Sequence, residues 1–336
     1  MADLRTQDDR FTSAAAGPAA LRFGTIVDSV RSALYTDTTS ARLAVGCLLT
    51  GGHLLVEDLP GLGKTTLAKA LARSFGLDFH RVQCTADLLP ADIVGALMYD
   101  RNGPEPVFRP GPVFTNVLMA DELNRASTRA QSALLEAMEE RQVTVDGSTY
   151  ALPDPFMVIA TQNPYDAAGT SPLPQGQRDR FLLRLSLGYP DASAEDALLA
   201  RANAPAAVDS LSPAVSRAEL DELMTAVRSV HVSDACRHYV GALAQASRAH
   251  PAVDVGASPR GAMAVIRASS ALAVAADRDY VTADDVAATA GPVLAHRLLL
   301  SPDADVTGID AADVVGELLD VVPVPLGDEA DGFTAR

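Results

Sequence analysis

Residues 53–66 read HLLVEDLPGLGKTT: an apolar run, His53–Glu57, then Asp58-Leu59-Pro60-Gly61-Leu62-Gly63-Lys64-Thr65-Thr66, opening the helical stretch TTLAKALARSF. A short apolar run that stops at a turn and restarts with helical periodicity predicts strand, loop and helix in that order. Gly61 and Gly63 can take positive φ and bring backbone N–H groups close to phosphate oxygens. The helix opening near Lys64 adds its dipole to the same anion site. Lys64 is expected on the β- and γ-phosphates and the Thr65 hydroxyl on Mg²⁺, with Pro60, Leu62 and Thr66 completing the loop. The strict phosphate-loop pattern asks for glycine where Asp58 stands. That position is the loop's entrance, where a side chain can point away from phosphate.

Downstream, Val117–Ala120 (VLMA) and Phe156–Ala160 (FMVIA) are further near-continuous apolar runs. Such runs are expected of strands buried on both faces of a parallel sheet, and with the helical patterns between them they predict an α/β layer fold. The first of these runs ends in Asp121-Glu122. Adjacent carboxylates at a buried strand end repel and need compensating charge, which Mg·ATP would supply, with Asp121 holding Mg²⁺ and Glu122 orienting and deprotonating water. Acidic pairs also open ordinary helices. The second run leads into Thr161-Gln162-Asn163-Pro164, where Asn163 can bridge water and γ-phosphate or simply form a turn before proline. Arg180, in Arg178-Asp179-Arg180-Phe181, is a candidate arginine finger, although a lone arginine is equally often a surface ion pair. Ser258 is a good N-cap and Pro259 suits the first helical position, so Arg260 falls in a first helical turn. A cation there opposes the helix dipole unless an anion faces it. Arg260 is therefore a candidate nucleotide sensor.

Bulk properties narrow the class. The chain has 336 residues, 48% apolar and 21% charged, with a net charge of -16. So acidic a surface disfavours nucleic-acid binding through a general basic patch. Three well-separated cysteines fit free thiols in a reducing compartment. No apolar run suits a signal peptide or a bilayer span, so a cytoplasmic location is expected. Residues 1–20 read as a mobile lead, 21–190 as the nucleotide-binding α/β domain, 191–322 as an Ala/Leu-rich helical lid without a clear strand, and 323–336 as a frayed tail. Two additions interrupt the α/β part. Gln83–Thr115 is too long for a simple connection, and Arg141–Tyr150 (RQVTVDGSTY) alternates around Asp146-Gly147 as a hairpin does.

Taken together, Glu57–Ala72, Gln83–Gly95, Gly111–Gly147, Pro155–Pro164, Leu173–Arg184 and Gly256–Met263 resemble the MoxR group of AAA+ ATPases, in the clade with a helix-2 insert and a pre-sensor hairpin. The resemblance spans most of residues 50–265, and its Walker A, Walker B, sensor 1, arginine-finger and sensor 2 positions fall on Lys64/Thr65, Asp121/Glu122, Asn163, Arg180 and Arg260. Gln175, Gly176 and Arg178 depart from the usual Glu, Ala and Leu, and Tyr35-Thr36-Asp37 replaces the usual Val-Gly-Gln. The resemblance implies an AAA+ P-loop domain with an all-α lid, ATP and Mg²⁺ as ligands, and self-association into a ring, six subunits being the group's habit. It also implies chaperone-like remodelling of a separate client, typically one with a von Willebrand factor A domain. A nucleic-acid motor, a metal-chelatase motor subunit and a nucleotide-gated scaffold with little turnover are the other readings. The acidic balance speaks against the first, and intact Glu122, Asn163 and Arg180 against the last.

Overall fold

The computed structural model describes residues 17–99, 106–163, 173–200, 203 and 205–325. Most of the expected lead and most of the expected tail lie outside these residues, and Pro18 already opens a helix. That helix, α1 (Pro18–Ala33), is followed by α2 (Thr38–Leu49), whose N-cap Asp37 accepts a hydrogen bond from the Ser40 amide at 2.8 Å.

Chain order then runs β1 (Leu54–Glu57), α3 (Lys64–Ser74), β2 (Phe79–Gln83), α4 (Pro90–Val94), β3 (Gly95–Tyr99), β4 (Pro106–Pro110), β5 (Val117–Asp121), α5 (Thr128–Glu140), β6 (Gln142–Val145), β7 (Ser148–Ala151), β8 (Met157–Gln162), α6 (Gln175–Arg178) and β9 (Leu183–Leu185). Five strands form one sheet in the order β2-β5-β8-β1-β9, and every pairing is parallel. Alternation along the strands feeds two cores. Leu54 and Val56 face α1, α2 and α3, whereas Leu55, Leu118, Ala120, Val158 and Ala160 face α5. All seven are buried, which is why the strands read as continuous apolar runs.

Both additions are antiparallel hairpins, β3–β4 and β6–β7. Asp146 and Gly147 both take positive φ, 49° and 79°, as a two-residue turn between twisted strands requires. Phe108 stacks on Tyr150 with centroids 4.0 Å apart, joining the two hairpins into one unit.

After β9 the chain is helical: α7 (Ala192–Ala200), α8 (Arg217–Ser229), α9 (Asp234–Ala249), α10 (Pro259–Ala275), α11 (Ala283–Leu294), α12 (Pro302–Thr307) and α13 (Ala311–Val321). Thr282 and Asp285 form a capping box at the start of α11, and Val281 and Val286 are both buried beside it. The expectation of a strandless segment is corrected by a small ribbon, β10 (Val253–Val255) against β11 (Leu299–Leu300). Helix α10 packs on α1, α2, α8, α9 and α11. The apolar core is accordingly continuous from the α1–α3 face of the sheet into the helices.

Candidate active site

All strands of the sheet being parallel, their C-terminal ends share one edge. The loop after β1, the acids ending β5 and the asparagine after β8 therefore converge there. A cleft of about 450 Å³ is lined by Pro60, Gly61, Gly63, Lys64, Thr65 and Thr66 from the loop, and by Arg81, Gln83, Asp121, Glu122 and Asn163 from the strand ends. Leu62 does not line it. Gly63 takes φ 88°, a conformation that favours glycine, and a Cβ there would lie 2.5 Å from Leu34 Cδ1, which would have to turn aside.

Asp58 turns its side chain away from the cleft. Its Oδ1 accepts from Ser186 Oγ at 3.2 Å, and its Oδ2 accepts from the Leu187 and Gly188 amides. The residue that breaks the loop pattern thus ties the loop's entrance to the chain leaving β9. Lys64 Nζ donates to the carbonyls of Asp58 at 2.5 Å and Gln162 at 3.4 Å, spanning the ends of β1 and β8. Partial burial lowers its pKa, opposed by the carboxylates of Asp58, Asp121 and Glu122.

The acids are held by several protein groups. Asp121 Oδ1 accepts from Thr161 Oγ1 at 2.5 Å, and its Oδ2 from Arg81 Nε at 3.1 Å and Nη2 at 2.5 Å. Glu122 Oε2 accepts from Gln83 Nε2 at 3.0 Å and pairs with Arg125 Nε at 3.2 Å. The Glu122 amide donates to Thr161 Oγ1 at 2.9 Å. Glu122 has φ 57° and ψ 49°, a left-handed backbone that turns the chain off the strand into the cleft. Sequence reasoning assigned the compensating charge to Mg·ATP alone. Here Arg81 and Arg125 already share that role. Asp121 and the Thr65 hydroxyl line one cleft, an oxygen donor set that suits Mg²⁺ completed by phosphate and water.

Thr161, Arg81 and Gln83 were not singled out from sequence. Arg81 and Gln83 alternate on one face of β2, a signal usable only once FHRVQ is known to be a strand beside the acids. Thr161 is fully buried and serves both acids. Thr161→Val is expected to cost ~1–3 kcal/mol by stranding the Glu122 amide and an Asp121 oxygen. Denaturant unfolding measures this, and an unchanged midpoint would refute the bridging role.

Arg180 and Arg260 lie elsewhere. Arg180 precedes β9, and Leu182 N donates to His53 O at 2.8 Å, just ahead of β1. Helix α5 carries the chain back from the acids over 13 residues, about 20 Å. At its end Arg141 donates to Gly51 O and Phe156 O, ahead of β1 and β8. Glu139 on that helix end accepts from Arg180 Nε at 2.9 Å through Oε2 and from Arg260 Nη2 through Oε1. The two arginines hold its carboxyl below the usual range. They therefore meet each other at the N-terminal edge of the sheet, opposite the cleft. Glu139 had no sequence signal. Of the residues departing from the family pattern, Gln175 donates to Arg297 O and accepts from Arg178 Nη2 at 2.6 Å, within the junction to the lid.

A phosphate-type loop on a parallel sheet, with paired acids at the next strand's end and a helical lid, defines a P-loop nucleotide hydrolase of the AAA+ class. Residues 53–183 match the ATPase family associated with various cellular activities (AAA), and residues 245–318 match the AAA lid domain. The chain is 43% identical to the uncharacterized protein YeaC of Bacillus subtilis, over 90% of this chain and 95% of that protein. It is 39% identical to the chaperone MoxR1 of Mycobacterium tuberculosis, over 86% and 78%. A crystal structure from Cytophaga hutchinsonii, provisionally assigned as an ATPase, superposes with TM-score 0.84 at 34% identity, covering 92% of this chain and 96% of that one. The chain belongs to the MoxR family of AAA+ ATPases, and it is an ATP-hydrolysing enzyme. Among the described residues no helix is long and apolar enough to cross a membrane.

Proposed function

We propose that the chain works as a ring whose ATPase sites are composite, and that turnover there drives remodelling or activation of a separate partner protein. One observation carries the composite site. Arg180 and Arg260 converge on Glu139 at the sheet edge opposite the cleft, so neither reaches the loop of its own subunit. AAA+ proteins typically form rings, and a neighbour's nucleotide is the natural anion for a pair so placed. On this reading the loop from Pro60 to Thr66, Leu62 included, wraps the phosphates, and Lys64 neutralises the β- and γ-oxygens. Thr65 and Asp121 hold Mg²⁺, which when bound supplies charge for the developing phosphate oxygens. Glu122 takes a proton from the attacking water, Asn163 orients that water, and the neighbour's Arg180 and Arg260 engage the γ-phosphate.

The joined hairpins support a client-facing surface. Met98 and Val107, opposite each other on β3 and β4, are 49% and 58% exposed, and Leu89, just ahead of α4, is 61% exposed, giving apolar contact points on this added element. Six subunits and a client with a von Willebrand factor A domain follow the family resemblance, and a cytoplasmic setting follows the sequence's free cysteines and its lack of a signal-peptide-like run.

Mixing two inactive variants tests the composite site. Lys64→Ala and Arg180→Ala are each expected to be nearly inactive alone. In mixed rings, an Arg180→Ala subunit keeps an intact loop and receives Arg180 from a Lys64→Ala neighbour, so activity returns. Mixed rings verified by mass that stay inactive would overturn the proposal.

A further inference from the structure

Arg297 ends a short turn, Ala295–Arg297, after α11, and its side chain is only 2% exposed. Its Nε donates to Asp179 Oδ1 at 2.9 Å. Its Nη2 donates to Asp179 O at 3.1 Å and Phe181 O at 2.6 Å, and its Nη1 to Leu182 O at 3.1 Å. One buried guanidinium therefore fixes the backbone on both sides of Arg180. Asp179 in turn accepts from Ser258 Oγ, at 3.3 Å and 3.2 Å from its two oxygens. Ser258 is the N-cap of α10, the helix that carries Arg260, and its hydroxyl also accepts from Gly261 N at 3.1 Å. Gly261 lies against the same arginine, since a Cβ there would sit 3.0 Å from Arg297 Cδ. Arg297 is thus threaded between the segment bearing Arg180 and the helical turn bearing Arg260.

The consequence is visible at Glu139, whose two oxygens each take one of these arginines. A phosphoryl group offers adjacent oxygens in the same way, and paired guanidinium donors suit such an anion. Burying a guanidinium adds little net stability even when paired. Its five-donor planar fork does, however, fix several backbone carbonyls at once.

We propose that Asp179 and Arg297 are positioning residues that set Arg180 and Arg260 as a single two-pronged anion receptor for the neighbouring subunit. Neither touches nucleotide. The proposal rests on the reading that Arg180 and Arg260 act across the subunit boundary.

Asp179→Asn and Gly261→Ala test it in the full chain, the second being read alone should the first fail to assemble. Displacing a reacting group by about 1 Å costs ~10²-fold, so kcat is expected to fall by about that factor in Asp179→Asn and by a smaller factor in Gly261→Ala, where Arg297 need give only slightly, with KM for ATP unchanged in both. A structural defect alone would not dictate which partner rescues it. Mixed with Lys64→Ala, whose arginine face is intact, each variant regains activity. Mixed with Arg180→Ala, which is damaged on the same face, neither does. Rescue by Arg180→Ala, wild-type kcat, or no rescue by Lys64→Ala in verified mixed rings would each overturn the positioning role. If Lys64→Ala and Arg180→Ala fail to rescue each other, the composite site itself falls.

Discussion

Glu122→Gln is expected to reduce steady-state ATP hydrolysis sharply while ATP stays bound. General-base catalysis contributes ~10²–10⁴ in rate, and phosphate release per subunit is expected to drop by about that factor. Binding is spared because the amide is nearly isosteric and its oxygen can still accept from Gln83 Nε2, now 3.0 Å from Glu122 Oε2. The left-handed turn and the Thr161 bond to the residue 122 amide do not depend on the charge. Losing one carboxylate beside Asp121 also removes repulsion toward the phosphates. A fluorescent ATP analogue measures affinity, and single-turnover phosphate release measures chemistry. Turnover within about a factor of ten of wild type would remove Glu122 from the general-base role, given that scale. The ATP-loaded variant is also the means of trapping the client. Recovering a protein partner supports remodelling, and recovering only nucleic acid would overturn it.

Much of this site was legible in the sequence because its framework strands are buried on both faces. HLLVE, VLMA and FMVIA stand out as apolar runs, and each leads directly into the residues that line the cleft. Strand β2 was missed for the opposite reason. It lies at the sheet edge, its residues are exposed or half-buried, and FHRVQ therefore has no run to read. Arg81 and Gln83 went unnoticed with it. Strand β9 and the β10–β11 ribbon are only two or three residues long, too short for any periodicity. Arg180 and Arg260 were both flagged from local chemistry, yet their meeting at Glu139 joins residues 41 and 121 positions apart in sequence. Only the return of α5 to the strand starts, and the packing of α10 on the core, bring them together. Asp58 shows the same limit. The side chain that breaks the pattern was expected to be able to point away from phosphate, but its partners Ser186, Leu187 and Gly188, about 130 residues away, had no local signal.

Arg180→Ala separates kinetics from stability. An arginine finger is worth ~10³–10⁵ in turnover, so the variant is expected to lose at least the lower bound at saturating ATP. Its own cleft contains no atom of Arg180, and ATP affinity should remain that of the wild type. Folding stability should barely change. The Arg180–Glu139 pair is roughly one-third exposed on both sides, and exposed pairs contribute ~0–1 kcal/mol. Glu139 moreover keeps Arg260 as a partner. Arg180→Lys should not restore turnover, because a point charge on a flexible stem replaces a planar fork held beside Arg260. Protein concentration adds an independent readout. Wild-type rate per subunit should rise as subunits assemble, since each site needs a neighbour, whereas the variant's residual rate should stay flat through the same range. A wild-type rate that ignores concentration through a dissociation seen by light scattering would show that each subunit completes its own site. The convergence on Glu139 would then be a surface ion cluster and nothing more.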